Sequence, residues 1–341
     1  LHVALRNATN RLYQNNEGNF SNVARQIGFY EPRRTVGACW FDMDSDGDLD
    51  AFTTNQSGDR DGMYRYEDGR FSDVAMALNI DQARRPLIDG GVGCAITDFD
   101  SDGDLDLYVA EYGDDSLFRN NGDGTFTDVA VAMGVATHDH IVTGVWGDVN
   151  NDGLPDLYVV GYVNGRPGMP DYLYINKGDH FENQLPDNVM ANDTDHGVQF
   201  ADFDQDGDLD VVTSAPNPSR WVVFENVGGK LGKRPVWESK PTTDCDHISV
   251  IDFNQDGMPD LAGTHESHNT LYLNDKGREK RFGATPDWET GFYTDSNQID
   301  FGDIDGDGDQ DMLIASGLPT FQVALFKNND GELSRTITKR I

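Results

Sequence analysis

Apolar and polar positions alternate along the chain in short bursts, and the bursts repeat. "VGCAIT" (92–97) reads as a short apolar strand, A. "LDLYVAEY" (105–112) reads as a second, alternating strand, B, and "SLFRN" (116–120) as a third, C. "NGDG" (121–124) is a hairpin turn leading to "TFTDVAVA" (125–132), strand D. Four short antiparallel strands with no convincing helix describe one propeller blade. Between strands A and B lies an acidic stretch that recurs six times. It runs "DMDSDGDLD" at 42–50, "DFDSDGDLD" at 98–106, "DVNNDGLPD" at 148–156, "DFDQDGDLD" at 202–210, "DFNQDGMPD" at 252–260 and "DIDGDGDQD" at 303–311. Starts are separated by 56, 50, 54, 50 and 51 residues, a period that belongs to propellers, solenoids and arrays.

The C–turn–D half occurs seven times, as "LYQNNEGNFSNVA" (12–24), "MYRYEDGRFSDVA" (63–75), "LFRNNGDGTFTDVA" (117–130), "LYINKGDHFEN" (173–183), "VFENVGGKLGK" (223–233), "LYLNDKGREKRF" (271–282) and "LFKNNDGELSR" (325–335). "LHVALRN" (1–7) resembles a strand B whose acidic loop is missing. The predicted fold is therefore all-β: a single seven-bladed β-propeller over 1–341, with four-stranded antiparallel blades, the first lacking strand A. Its blade units run approximately 1–30, 31–85, 86–137, 138–191, 192–242, 243–292 and 293–341. Six full blades plus a separate hairpin is the lesser alternative. The chain starts at Leu1 with neither an initiator Met nor a signal-peptide pattern, so a processed or trimmed N-terminus is expected.

The acidic loops follow D-x-[D/N]-x-D-G-x-x-D. Carboxylates at this density repel unless a cation sits among them, and oxygen ligands at alternate positions wrap one hard ion while the glycine permits the sharp turn. The expected ligand sets are Asp42, Asp44, Asp46, Asp48 and Asp50; Asp98, Asp100, Asp102, Asp104 and Asp106; Asp148, Asn150, Asp152, Leu154 and Asp156; Asp202, Asp204, Asp206, Asp208 and Asp210; Asp252, Asn254, Asp256, Met258 and Asp260; and Asp303, Asp305, Asp307, Asp309 and Asp311. Position 7 varies from Asp to Leu and Met, so there the ligand is the backbone carbonyl. Ca²⁺ fits better than Mg²⁺, which takes fewer protein ligands and stricter geometry. About six structural Ca²⁺ sites are expected.

These motifs, above all "LFRNNGDGTFTDVA" followed by "MGV" (133–135), resemble FG-GAP/VCBS-type repeats, as in integrin-like propellers and the secreted, cartilage-acidic-protein-like family. The resemblance covers nearly the whole chain. It implies a calcium-stabilised propeller that is secreted, periplasmic or cell-surface, and it says little about activity, because such repeats serve adhesion, sugar binding and catalysis alike. The truncated first blade departs from the family pattern and leaves the closure of the ring open.

Acids outnumber Lys and Arg 60 to 26, a formal charge of -34, which argues against nucleic acid or an anionic membrane as a partner. The six loops hold 26 of those acids, so much of the acidity belongs to the metal sites. No apolar run reaches a membrane span of about 20 residues. Cys39, Cys94 and Cys245 show no disulfide framework: the first two are expected as buried thiols in strands A, the third as an ordinary loop thiol. The sequons at Asn7, Asn19, Asn55 and Asn192 are weak signals. Trp221, Trp237 and Trp288 suit packing between blades, with sugar stacking as the alternative.

In an up-and-down blade the A–B loop and C–D turn share one end, so function is sought at the other. The residues expected there as catalytic candidates are His138, His140, His196, His247, Asp195 and Asp246. Arg33, Arg34, Arg84, Arg85, Tyr112, His265 and His268 are the ligand-binding candidates, accompanied by Asp139, Asp244, Glu111 and Arg166. Two functions follow. One is a recognition module for a glycan or protein on the face opposite the acidic loops. The other is a lyase- or dehydratase-type enzyme acting on a sugar or similar small polar substrate, with a His/Asp site at the channel mouth that also suits a transition metal.

Overall fold

The computed structural model describes the chain apart from residues 7, 17, 31, 82–89, 163–170, 187–196, 216–217, 243, 266, 276–280, 291–295, 318–322 and 341. The strands form seven antiparallel sheets arranged as blades of a β-propeller. Blade 1 has three strands, His2–Val3, Arg11–Asn16 and Asn19–Asn22, in the places of B, C and D. Blades 2 to 7 each have four, in sequence order. In blade 3 these are Gly90–Thr97, Asp106–Tyr112, Ser116–Asn120 and Phe126–Asp128.

In blades 2 to 7 strands B and C are largely buried on both faces because a neighbouring blade covers each face, whereas strand C of blade 1 is half-buried to exposed. Leu107, Tyr108, Val109 and Ala110 are all fully buried. The clusters are accordingly shared between blades: Phe41, Phe52 and Met63 of blade 2 pack with Leu107, Val109 and Phe118 of blade 3. Burying such a side chain completely contributes about 2–3 kcal/mol.

The ring closes although blade 1 lacks strand A. Val3 packs with Leu313, Val323 and Leu325 of blade 7. On its other side, His2 meets Phe29 and Trp40 edge-on, at 5.1 and 5.7 Å between ring centroids. A side-chain amide marks five of the seven seams. Asn120, Asn176, Asn226 and Asn274, at the ends of strands C, donate to Met43 O, Phe99 O, Val149 O and Phe203 O of the preceding blade's acidic loop at 2.9, 2.8, 2.6 and 2.9 Å. Asn15 of blade 1 makes the same bond to Ile304 O of blade 7 at 2.8 Å. Blade 2, whose preceding blade has no acidic loop, carries Tyr66 at that place.

Three expectations need correction. Cys39 and Cys94 are not free thiols; they form a disulfide between strands A of blades 2 and 3, with Cα atoms 6.0 Å apart. Blades fan out from the axis, so innermost strands approach most closely, and residues 55 apart in sequence become lateral neighbours. In blades 5 to 7 strand D is not the segment following the C-strand turn. It comes later, as Trp237–Glu238, Trp288–Glu289 and Lys339–Arg340. The predicted segments of blades 5 and 7 instead turn back through a bridge between Asn226 and Leu231 and a small hairpin pairing Asn328–Asn329 with Glu332–Leu333, and that of blade 6 lies partly outside the described residues. Trp237 and Trp288 are buried, and their indole N–H groups donate to Gly283 O and Ser334 O of the next blade at 3.1 and 3.2 Å. Together with the buried Trp221, they are inter-blade core. Finally, strand D of blade 3 stops at Asp128, whose carboxylate accepts from Ala130 N and starts a single helical turn, Ala130–Met133.

Candidate functional site

The acidic loops and the C–D turns lie at one end of the blades. Each loop repeats one hydrogen-bonded coil. Asp98 accepts from Asp102 N and Gly103 N at 3.1 and 3.0 Å, and Asp102 accepts from Asp104 N at 3.0 Å. Position 6 has positive φ in all six loops: 93°, 98°, 89°, 95°, 82° and 96° at Gly47, Gly103, Gly153, Gly207, Gly257 and Gly308. A side chain there is strained, which is why glycine stands there each time. The last acid is buried and bridges the loop to strand C. Asp106 accepts from Phe99 N at 3.0 Å and Asn120 N at 2.8 Å, and Asp156, Asp210 and Asp260 repeat the pattern. Burial pushes the Asp106 carboxyl up to about 7, only partly offset by those two N–H donors, and Asp100 and Asp102 raise it further.

Four loops bring three carboxylate oxygens within 4.8 Å of one another: Asp42, Asp44 and Asp50; Asp98, Asp100 and Asp106; Asp202, Asp204 and Asp206; Asp303, Asp305 and Asp307. Two unit negative charges about 4 Å apart repel by about 1 kcal/mol in water and about 4 kcal/mol at the dielectric near a protein surface. Asp100 Oδ1 is buried with no hydrogen-bond partner. An all-oxygen donor set with an unsatisfied inward carboxylate oxygen fits a hard divalent cation. In the other two loops Asn150 and Asn254 accept from Asp152 N and Asp256 N at 2.9 and 3.1 Å. The loops are also tied to one another: the side chains of Asn151, Gln205 and Gln255 donate to Gly207 O, Gly257 O and Gly308 O of the following loop, at 3.4, 2.6 and 3.0 Å.

At the opposite end the predicted residues gather in separate groups. Tyr112 stacks on His140 at 4.8 Å and on Tyr162 at 6.0 Å, with interplanar angles of 26° and 10°. All three are half-buried. Burial pushes the Tyr112 hydroxyl up to about 12, with Tyr162 adding to the shift and Arg6 opposing it, so it stays neutral. His138 is exposed and pairs with Asp114, and the Tyr172 hydroxyl donates to Asp139. His265 is buried, bonded through Nδ1 to Asp244 O at 2.6 Å, and stacks on His268 at 4.9 Å. His247 is held near pKa 4 by burial, and Asp246 beside it is half-buried. Arg33 is engaged within its own blade, 2.6 Å from Asp73 and 3.1 Å from Asp61 O. Arg34 is exposed. Arg84, Arg85, Arg166, Asp195 and His196, like the sequons at Asn7 and Asn192, lie outside the described residues. Among the described residues, no group of three converging metal-ligating side chains contains a histidine.

Tyr162, Tyr172, Asp114 and the buried Asp115 and Asp171 were not singled out in the sequence. A signal for Tyr162 was present: Tyr112 and Tyr162 both stand six residues after the last acid of their loops, Asp106 and Asp156.

A ring of seven blades with an oxygen-lined loop at the head of six of them defines the propellers built on acidic repeats. The FG-GAP-like repeat model matches residues 98–159, 148–213 and 252–314, more than half of the chain, and the chain belongs to that family. It is 30% identical over 188 residues to cartilage acidic protein 1 of Xenopus tropicalis and 30% identical over 191 residues to the human protein. These matches take in 52% of this chain but only 29% and 28% of those proteins. A lectin from Agrocybe aegerita, described as recognising non-reducing terminal N-acetylglucosamine, superposes with a TM-score of 0.62 at 16% identity, over 98% of this chain and 87% of the lectin. That likeness is one of fold. No described helix is long and apolar enough to cross a membrane.

Proposed function

We propose that this chain is a calcium-stabilised, extracytoplasmic recognition module that takes a glycan on the face opposite the acidic loops. The observation that carries the reading is the parallel stack of Tyr112, His140 and Tyr162, drawn from blades 3 and 4. Its half-buried rings offer a flat apolar surface, and Asp114 and Asp139 stand beside it as acceptors. A sugar ring has the matching features: an apolar face for an aromatic ring and hydroxyls for carboxylates. Calcium in the loops would fix the ends of strands A and B, hold neighbouring loops in register and so keep the opposite face in shape. The Cys39–Cys94 disulfide agrees with an oxidising compartment.

A glycan array in calcium-containing buffer, followed by calorimetry on the best hit, tests the reading. Tyr112→Ala and Tyr162→Ala are each expected to weaken binding about fivefold or more, since stacking and edge contacts with one aromatic contribute about 1 kcal/mol or more. An array without hits, or a hit indifferent to both substitutions, would remove the glycan platform.

A further inference from the structure

The six acidic loops differ in side chains, and the differences are matched by differences outside them. Position 3 is Asp44, Asp100, Asp204 and Asp305 in four loops and Asn150 and Asn254 in two. Three of the four acids have a base in contact, and the loop of the fourth, Asp100, has Arg119 in the equivalent place of its blade. Arg65 Nε lies 3.1 Å from Asp44 Oδ2, and Arg281 Nη2 lies 3.5 Å from Asp204 Oδ2. Lys327 Nζ pairs with Asp305 and lies 3.0 Å from Asp307 Oδ2. Burial raises the Asp100 carboxyl, and Arg119 opposes the rise.

Arg65, Arg119 and Lys327 occupy one place in the blade. It is the residue before the one whose N–H caps the buried last acid: Tyr66, Asn120 and Asn328. In the two loops with Asn, that place holds Ile175 and Leu273. Blade 5 has Glu225 there, and its base, Arg281, comes from blade 6 instead. Where the following blade approaches Asn150 and Asn254, it presents glycines: a Cβ on Gly229 would lie 3.0 Å from Asn150 Cα, and one on Gly331 would lie 3.7 Å from Asn254 Cβ. Two of the four position-7 acids turn elsewhere, Asp208 and Asp309 accepting from Gly228 N and Asp330 N at 2.6 and 2.9 Å. Over positions 1, 3, 5 and 9, four loops thus set four carboxylates against one base, and two set three carboxylates against none. Counted over those four positions and the bases alone, each of the six comes to −3; Glu225 of blade 5 and the position-7 acids stand outside that count.

We propose that Arg65, Arg119, Arg281 and Lys327 are charge-levelling partners, which hold the six sites at one net charge so that they load with Ca²⁺ over a single narrow range of concentration. The inference rests on the reading that the loops bind calcium. Calcium loops of otherwise similar build differ in affinity over decades through ligand charge and rigidity. Without the bases, the four all-aspartate loops would fill well before the two containing asparagine.

Calorimetric titration of the metal-free protein with calcium chloride, in about 0.15 M salt and with chelator competition, tests this. The native chain is expected to take up six equivalents in one unresolved phase. Lys327→Met is expected to split off one equivalent about tenfold tighter. Asn150→Asp, a one-atom exchange on an exposed loop that serves if Lys327→Met does not fold, is expected to do the same at its own site, and Asn150→Asp with Ile175→Lys to return that site to the native range. Unchanged or weakened affinity in both single variants would overturn charge levelling while leaving calcium binding in place. No calcium uptake by the native chain would overturn the calcium reading and the levelling with it.

Discussion

At one end of blade 3, Asp106 is buried under the acidic loop and accepts two backbone N–H groups, from Phe99 and Asn120. At the other end, nine residues along, Asp115 is buried under the B–C loop and accepts from Glu111 N at 2.9 Å and the Thr137 hydroxyl at 2.7 Å. Burial raises both carboxyls, Asp106 to about 7 and Asp115 to about 8. The two ends differ in what surrounds the strained acid. Asp106 heads a coil that contains Asp98, Asp100 and Asp102, and one proton leaves the remaining charges facing each other. Asp115 has no such coil around it, and one proton relieves it. Asp171 repeats the second solution in blade 4, accepting from the Tyr158 hydroxyl and Gly161 N at 2.9 and 3.0 Å and raised by burial to about 7. A divalent cation suits one end of the blade, and a proton suffices at the other.

The contrast can be broken most directly by removing calcium. Excess EGTA is expected to lower the melting temperature by about 10 °C or more, since each site filled at a hundredfold excess over its Kd contributes about 2.7 kcal/mol. An unchanged melting curve would leave the acidic end without its cation. A smaller effect is expected from Asn120→Ala. It removes the donor to Met43 O and Leu105 O inside the seam between blades 2 and 3. A loss of about 1–3 kcal/mol in urea unfolding follows from leaving a buried carbonyl unpaired. A loss below about 0.5 kcal/mol would mean that apolar packing alone holds the seam.

The smallest effect belongs to the proton end, and its sign follows from the shift. The pKa of Asp115 is higher folded than unfolded. Its contribution is therefore full below about pH 4 and is lost as pH rises through about 8. With calcium saturating, stability is expected to decline between about pH 4 and 8. Asp115→Asn is expected to flatten that decline, because the amide accepts from Glu111 N and can donate to Thr137 with no charge to bury. A decline of unchanged slope in Asp115→Asn would assign the pH dependence to other groups.

The loops of the acidic end are legible in the sequence. Their pattern lies within nine consecutive residues and recurs six times, so the spacing of the acids, the glycine and the blade period can be read together. The other end draws each group from two loops far apart in the chain. Tyr112 and His140 meet because strand B of one blade ends beside the entrance to strand A of the next, a relation that the repeat implies but no local pattern displays. The Cys39–Cys94 disulfide escaped for the same reason: its partners are close around the axis and remote along the chain. The late strands D of blades 5 to 7 escaped for a different one. Each is two residues long, and in blades 5 and 7 the segment before it has the composition of a strand and turns back on itself first.

The bond from Asn15 to Ile304 O gives the ring a fastening point. Every other described seam of this kind joins blades that the chain already connects in series. Only here are partners 289 residues apart brought together, and the acceptor belongs to the acidic loop that Lys327 grips. Whatever loosens that one loop therefore acts at the place where the circumference is joined, a clasp backed by the packing of Val3 on Leu313, Val323 and Leu325.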